Sequence, residues 1–293
     1  MSAMHAMEIV ESDNFGQVPE LDAKQRQAAP ELAKIVDTQK EMRAMLQLVQ
    51  NDTGHKSNVI MSGAPKNMAA CIDTRTRKIY ITYEMLLPEN RTFALYAARH
   101  EAEHHHNRFF HLDLKEHLST DHIQSLERSL RVEQLPDIDL VEGFNDLLTI
   151  SKHGQNPNSG YLEKEVPVAM KLENLAKKEL GVSLKNIFHD GDQELFFSTL
   201  TRLAQRLLFK QEIQRTLFSR RRELEKARLK PIAVGKELLE QVGTITLSME
   251  TAEKVSWVIG KLLDQTLQIE ALQEFLQSEP ANDAGATLLA RRI

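Results

Sequence analysis

The sequence is short of cysteine and of long apolar runs, and each shortage excludes a class of protein. It has a single cysteine, Cys71, which excludes an internal disulfide and a zinc site built from several thiolates. No run of about 18 apolar residues could cross a membrane, and Met1–Gly16 lacks the basic and apolar regions of a signal peptide. We therefore expect a cytoplasmic protein without a membrane span, although the sequence leaves open secretion by a route that needs no signal.

Basic residues are not in excess either. The chain has 37 Lys and Arg against 42 Asp and Glu, which gives a net charge of -5. This balance argues against a nucleic-acid partner. The 293 residues, 41% of them apolar and 27% charged, are enough for a sizeable core in a soluble protein.

Sequence patterns along the chain predict an α+β fold. Apolar residues at helical spacing predict a helix over Ala29–Asn51, and nearly all of the chain after Thr120 has helical character. Three short runs predict strands, namely Asn58–Ala64, Met68–Asp73 and Lys78–Tyr83. We predict a loose arm over 1–25, an α+β domain over 26–200, a helical C-terminal region over 201–277 and a flexible tail over 278–293.

The C-terminal region carries an apolar stripe over Leu238–Phe275 at helical spacing. Core helices and a surface for a helical partner would both produce such a stripe, so both interpretations stay open. We place Trp257 in the core.

The motif that carries chemistry is His100-Glu101-Ala102-Glu103-His104, which reads H-E-x-x-H. Residues four apart on a helix lie on one face, so His100 and His104 can bind one metal ion. Glu101 is placed to take a proton from a water molecule that the metal activates. Lys78–Tyr83 precedes this helix and is the strand on which we expect an extended substrate to bind.

A catalytic zinc ion needs a third protein ligand, and three sources compete for this role. The metzincin spacing fails because Asn107 and Phe110 stand where glycine and histidine are required, and His111 comes one residue late. The other candidates are Glu142 and the pair Glu163 and Glu165.

Glu142 is the favoured third ligand. It lies in a segment with apolar residues at helical spacing, where a carboxylate near the buried face needs a partner. Asp146, one turn later, could orient a zinc-bound histidine without binding the metal itself.

Together with Glu142-Gly143-Phe144, the motif resembles the gluzincin metallopeptidases, the clan of thermolysin and the zinc aminopeptidases. The stretch 67–104 is also similar to small single-domain gluzincins, and the resemblance covers about residues 58–200 but not the C-terminal third. It implies a zincin-like core with a small β-sheet and an active-site helix. It also implies one catalytic Zn²⁺ held by His100, His104 and Glu142, with Glu101 as general base.

By the same resemblance, the protein is a zinc metallopeptidase that hydrolyses peptide bonds of a protein or peptide substrate, and Tyr161 or His153 stabilises the oxyanion. The sequence departs from the family pattern in three places. Ala102-Glu103 is unusually polar, 37 residues separate His104 from Glu142, and Val141 replaces the asparagine that often precedes the third ligand.

Two alternatives remain. Seven of the eleven histidines lie between His100 and His122, so a histidine-rich helix could contain H-E-x-x-H by chance. The protein would then be a non-catalytic binding or regulatory protein on a degenerate zincin scaffold. A di-iron carboxylate protein is the weaker alternative, because it needs a second E-x-x-H on another helix and the sequence has none.

Overall fold

The structure, a computed structural model, describes residues 8–11, 20–64, 68–73, 75–106, 112–154, 157, 163–244 and 252–278. Within these residues the chain is mostly helical with one small sheet, which confirms the α+β class. Contacts divide the chain into two units. The first contains the chain up to Asp113 and Asp137–Thr199, and the second contains Leu114–Pro136 and the chain from Leu200 onward.

The sheet belongs to the first unit and has four strands. They are β1 (Glu8–Glu11), β2 (Lys56–Ser62), β3 (Ala70–Asp73) and β4 (Lys78–Thr82), in the order β1-β2-β4-β3. β2 is parallel to β4, and β1 and β3 are antiparallel to their neighbours. The three predicted strands are therefore present. β1 lies within the segment that we expected to be a loose arm, and here it is a strand of the sheet.

The prediction that Lys78–Tyr83 receives the substrate is wrong. This run forms β4, which pairs with β2 on one side and with β3 on the other, so it cannot accept a further strand. Sequence order showed only that this strand comes last before the helix. The last strand in the sheet order is β3, and the next helix, α3 (Arg91–His106), packs against it.

Helices α2 (Pro30–Thr53) and α3 form the core of the first unit with the sheet, after the short helix α1 (Ala23–Ala28). Pro30 stands at the first position of α2, and Gly54 with φ of 72° ends it. Buried side chains at helical spacing on the two helices pack against buried side chains of the strands. The helix residues are Met42, Met45, Leu46, Val49, Ala94, Ala97 and Ala98, and the strand residues are Val59, Ile79 and Ile81.

Three further helices complete the first unit together with the start of α9. Their bounds are α6 (Leu140–His153), α7 (Glu165–Leu180), α8 (Leu184–His189) and α9 (Gln193–Ser219). The ring of Phe144 stacks on Phe188 and meets Phe196 edge-on, with centroids 5.4 and 5.3 Å away. Phe144 is two residues beyond Glu142, so this cluster anchors the face of α6 opposite that carboxylate.

The regular elements among the described residues of the second unit are all helices. It contains α4 (Leu114–His117), α5 (Thr120–Leu130), the rest of α9, α10 (Arg221–Lys226), α11 (Pro231–Thr244) and α12 (Ala252–Ser278). On α12 the buried residues are Val255, Ile259 and Leu263. Trp257 follows Val255 by two positions and lies 66% exposed, so its predicted place in the core is wrong. No described helix combines the length and the apolar character that a membrane crossing requires.

Candidate metal centre

Helix α3 presents the two histidines of the motif side by side. His100 is fully buried, and His104 follows one turn later on the same face, partly exposed. Their Nε2 atoms are 3.1 Å apart. Both imidazoles therefore direct the same nitrogen toward one point.

Helix α6 brings Glu142 to that point. Its Oε2 lies 2.9 Å from His100 Nε2, and its Oε1 lies 3.2 Å from His104 Nε2. In a tetrahedral zinc site with bonds of about 2.0–2.1 Å, donor atoms are about 3.3 Å apart. The three donors therefore fit zinc after a small expansion. In the part of the chain that the structure describes, no other group of His, Cys, Asp or Glu side chains is gathered closely enough to hold a metal ion.

The position of Glu142 is fixed by its neighbours on α6. Asp139 caps the helix, and its Oδ1 accepts hydrogen bonds from the backbone N–H groups of Val141 and Glu142 at 3.1 and 3.2 Å. At Gly143, an added Cβ would lie 2.6 Å from the carbonyl oxygen of Glu165. Glycine is thus required here for the close approach of α6 to the start of α7.

The Nδ1 atoms of both histidines face side chains of α6. Asp146 Oδ1 lies 3.3 Å from His100 Nδ1 and accepts a hydrogen bond of 2.8 Å from the Tyr96 hydroxyl. Asn145 Nδ2 lies 2.6 Å from His104 Nδ1; with the side-chain amide turned over, its oxygen accepts a hydrogen bond from the Nδ1–H and leaves Nε2 to bind a metal ion. These contacts orient the rings so that Nε2 remains the donor.

Asp146 was predicted for this orienting role, and the structure places it beside His100. Sequence reasoning missed Asn145 and Tyr96. Asn145 stands three residues after Glu142 and is fully buried, so helical spacing could have found it. Tyr96 stands one turn before His100, but no sequence pattern shows that its hydroxyl reaches α6.

Negative charge is concentrated around the imidazoles. Burial alone lowers the pKa of His100, but hydrogen bonds to Asp146 and Glu142 outweigh burial and raise the pKa to about 9. Burial raises the pKa of Glu142, and the hydrogen bonds with both histidines reverse this and hold it well below its usual range. A centre with this charge favours a bound cation, and a divalent metal ion would compete with the proton for it.

Glu101 lies partly buried between the donor set and the sheet. Its carboxylate accepts a hydrogen bond from the backbone N–H of Ile72 in β3. Burial raises the pKa of Glu101, and the neighbouring histidines offset this only in part. A carboxylate with a raised pKa is suited to take up and return a proton near neutral pH.

The polar pair within the motif has a structural explanation at Glu103. This residue is buried, and both of its carboxylate oxygens accept hydrogen bonds from Lys152 Nζ, at 2.7 and 2.9 Å. The ion pair ties α3 to the C-terminal turn of α6. Glu103 therefore connects the two helices that supply the candidate metal donors.

The other candidate residues are not gathered at this point. Glu163 is exposed, and Glu165 accepts a hydrogen bond from the Lys164 N–H at the start of α7. Neither belongs to the group that could hold a metal ion. His153 is exposed at the end of α6, about 16 Å along the helix axis from Glu142. Tyr161 and His111 lie outside the described residues.

Comparison with known proteins yields no relative: no family model, no curated protein and no solved structure matches the chain. A proposed function therefore depends on the geometry of His100, His104 and Glu142.

Proposed function

We propose that the protein is a zinc-dependent metallopeptidase of gluzincin type, which hydrolyses peptide bonds of a protein or peptide substrate. One observation carries this proposal. Glu142 meets the two histidines of an H-E-x-x-H helix at 2.9 and 3.2 Å, although the chain places it far from them in sequence. The helix packs against the last strand of a small sheet, which supports a zincin-like core.

The chemistry follows from the residues around the donors. His100, His104 and Glu142 would hold a zinc ion, whose Lewis acidity polarises a peptide carbonyl and lowers the pKa of a water molecule. Glu101 takes the proton from the attacking water and returns it to the leaving amine.

The substrate would lie along β3. This strand is last in the sheet order, and its Ile72 N–H is bonded to Glu101, so its main chain runs beside the general base. An extended peptide can be held there by hydrogen bonds to main-chain groups of β3 other than the Ile72 N–H, which Glu101 already occupies. Strand β3 thus takes the role that we first expected of β4.

Metal content and hydrolysis separate the roles of the residues. We expect one equivalent of zinc in the wild type and its loss in His100→Ala and His104→Ala. Glu101→Gln should keep zinc and lose hydrolysis. His117→Ala, which removes an exposed histidine of α4, is the matched control and should keep both.

Because the substrate is unidentified, cleavage is measured as new amino termini in a cell extract treated with wild type or Glu101→Gln. If Glu101→Gln kept its cleavage activity, Glu101 would not be the general base and the mechanism would be refuted. Full zinc affinity in Glu142→Ala would pass the third-ligand role to Glu163 or Glu165. A full equivalent of zinc in the doubly substituted His100→Ala, His104→Ala protein would show that the metal binds elsewhere and would refute this site.

A further inference from the structure

The second unit carries an apolar groove between α9 and α11. Its volume is about 530 Å³, and Ile213, Leu217 and Leu239 are among its apolar lining residues. A Cβ added at Gly235 would lie 3.0 Å from Leu217 Cδ1, so this glycine allows the two helices to approach at the floor of the groove. The sequence suggested a helical partner surface over 238–275, whereas this groove draws mainly on residues before it.

Two apolar side chains at this groove remain in water. Phe218 is 80% exposed and Ile232 is 79% exposed, the highest values for large apolar side chains among the described residues. Both line the same groove, one from α9 and one from α11. A partner that covers these two side chains removes their apolar surface from water, and this stabilises the complex. Exposed apolar groups clustered in this way mark a binding surface.

The charged side chains that line the groove are all basic. Lys210, Arg221 and Lys236 line it, and none of its described lining residues is acidic. Arg221 pairs with Glu225 at 2.8 Å, yet its side chain stays 68% exposed. Residues 206–236 contain ten basic and three acidic residues, in a chain whose net charge is -5. A complementary partner is therefore acidic.

We propose that this groove binds an acidic amphipathic helix of a partner protein. Its apolar face would cover Phe218 and Ile232, and its flanking carboxylates would pair with the lysines and the arginine. A groove between two helices accepts a third helix through interlocking side chains. A flat anionic membrane would leave the floor at Leu217 uncovered, so the shape favours a helix.

A synthetic peptide provides the probe. It carries leucine on one helical face and glutamate on both flanks, and its binding to the full chain is measured by fluorescence polarisation. We expect binding that is at least tenfold tighter than that of a scrambled peptide or of an analogue with lysine in place of glutamate. Phe218→Ser with Ile232→Ser should weaken binding at least tenfold, and Lys236→Glu should weaken it less.

Trp257→Ser supplies the matched control, because it removes another exposed apolar side chain of the second unit outside the groove. It should leave binding unchanged, and circular dichroism checks that every variant is folded. Equal binding by the Phe218 and Ile232 variant, or no preference for the acidic amphipathic peptide, overturns the proposal. Two further results would also overturn it. If the chain bound phosphatidylserine vesicles more tightly than the peptide, the groove would be a membrane site. If the chain formed dimers that the Phe218 and Ile232 variant abolishes, the groove would bind a second copy of the chain.

Discussion

Replacing Gly143 with alanine tests how closely the third metal donor is fixed. The added Cβ would lie 2.6 Å from the Glu165 carbonyl oxygen and 3.1 Å from Ala169 Cβ, whereas real Cβ atoms essentially never approach a heavy atom within 3.0 Å. Helix α6 must therefore move away from α7 by several tenths of an ångström. Overpacking of this kind costs about 1–3 kcal/mol of folding free energy.

The same movement displaces Glu142, which precedes Gly143. Metal–ligand distances tolerate shifts of only about 0.2 Å, so we expect zinc affinity to fall about 10–100-fold, as it does when groups that orient ligands are removed. Competition with a chromophoric chelator measures the affinity, and urea denaturation measures the stability.

Gly260→Ala is the control for this experiment. An added Cβ there meets no atom within 4 Å, and the residue lies inside α12. Helix propensity predicts a gain of about 1 kcal/mol with zinc affinity unchanged. If Gly143→Ala kept both its stability and its zinc affinity, the close contact between α6 and α7 would not fix the donor, and the reasoning would fail.

Three further predictions concern ionisable groups that are buried or half-buried. Burial raises the pKa of Glu173, but hydrogen bonds from the backbone and from side chains outweigh burial and lower it. At neutral pH, Glu173→Gln should therefore lower the free energy of unfolding by about 1.5–3 kcal/mol. The difference in stability between wild type and Glu173→Gln, measured by urea denaturation, should shrink as the pH falls below about 4.3 and then through the lower pKa that Glu173 has in the folded state. Burial, followed by the charge of Glu101, raises the pKa of Cys71 to about 12 from 9.0, so iodoacetamide should alkylate the native protein orders of magnitude more slowly than the unfolded one. Lys152→Met removes the ammonium group that pairs with the buried Glu103, which also has His189 Nδ1 at 3.9 Å. We expect it to lower the free energy of unfolding by about 1–3 kcal/mol, discounted for the partial exposure of the lysine.

Each of these has its own control. Glu253→Gln changes an exposed glutamate and should leave the pH dependence of stability as in the wild type. Equal alkylation rates for native and unfolded protein would contradict the raised pKa of the Cys71 thiol. Adding Glu103→Gln to Lys152→Met should restore most of the lost stability, and a double variant no better than the single one would argue against the ion pair.

Local patterns predicted the elements of this fold because their signals lie within a few residues. The run Lys78–Tyr83 is a strand, and the helix before β2 begins and ends within two residues of its predicted bounds. The order of the strands was beyond such patterns. Strand β3 lies at the end of the sheet through pairing with β4, and that pairing depends on where the chain turns back.

The candidate site divides in the same way. Spacing predicted that His100 and His104 share one face of α3 and that Glu142 lies near the buried face of its segment, and the structure brings the three together. The contact of Tyr96 with Asp146 depends on how α3 crosses α6, as does the pairing of Glu103 with Lys152. Helical periodicity carries no information about that crossing.

The path of the chain between α3 and α6 determines which contacts can form early during synthesis. After Asp113 the chain contributes Leu114–Pro136 to the second unit and returns to the first at Asp137. In that excursion the Ser125 hydroxyl donates to the Ala204 carbonyl oxygen at 3.2 Å, and Asp121 accepts from the Ala252 N–H at 2.8 Å.

All three proposed metal donors therefore leave the ribosome before these later partners of α5 have been made. Domains usually fold as units, with the N-terminal one first during synthesis, but here neither unit is a continuous stretch of chain. A fragment ending near residue 200, where the sequence suggested a boundary, would retain every donor and still leave α5 without these contacts. One cut cannot release an intact first unit, and a recombinant protein meant to test the site has to keep the full chain.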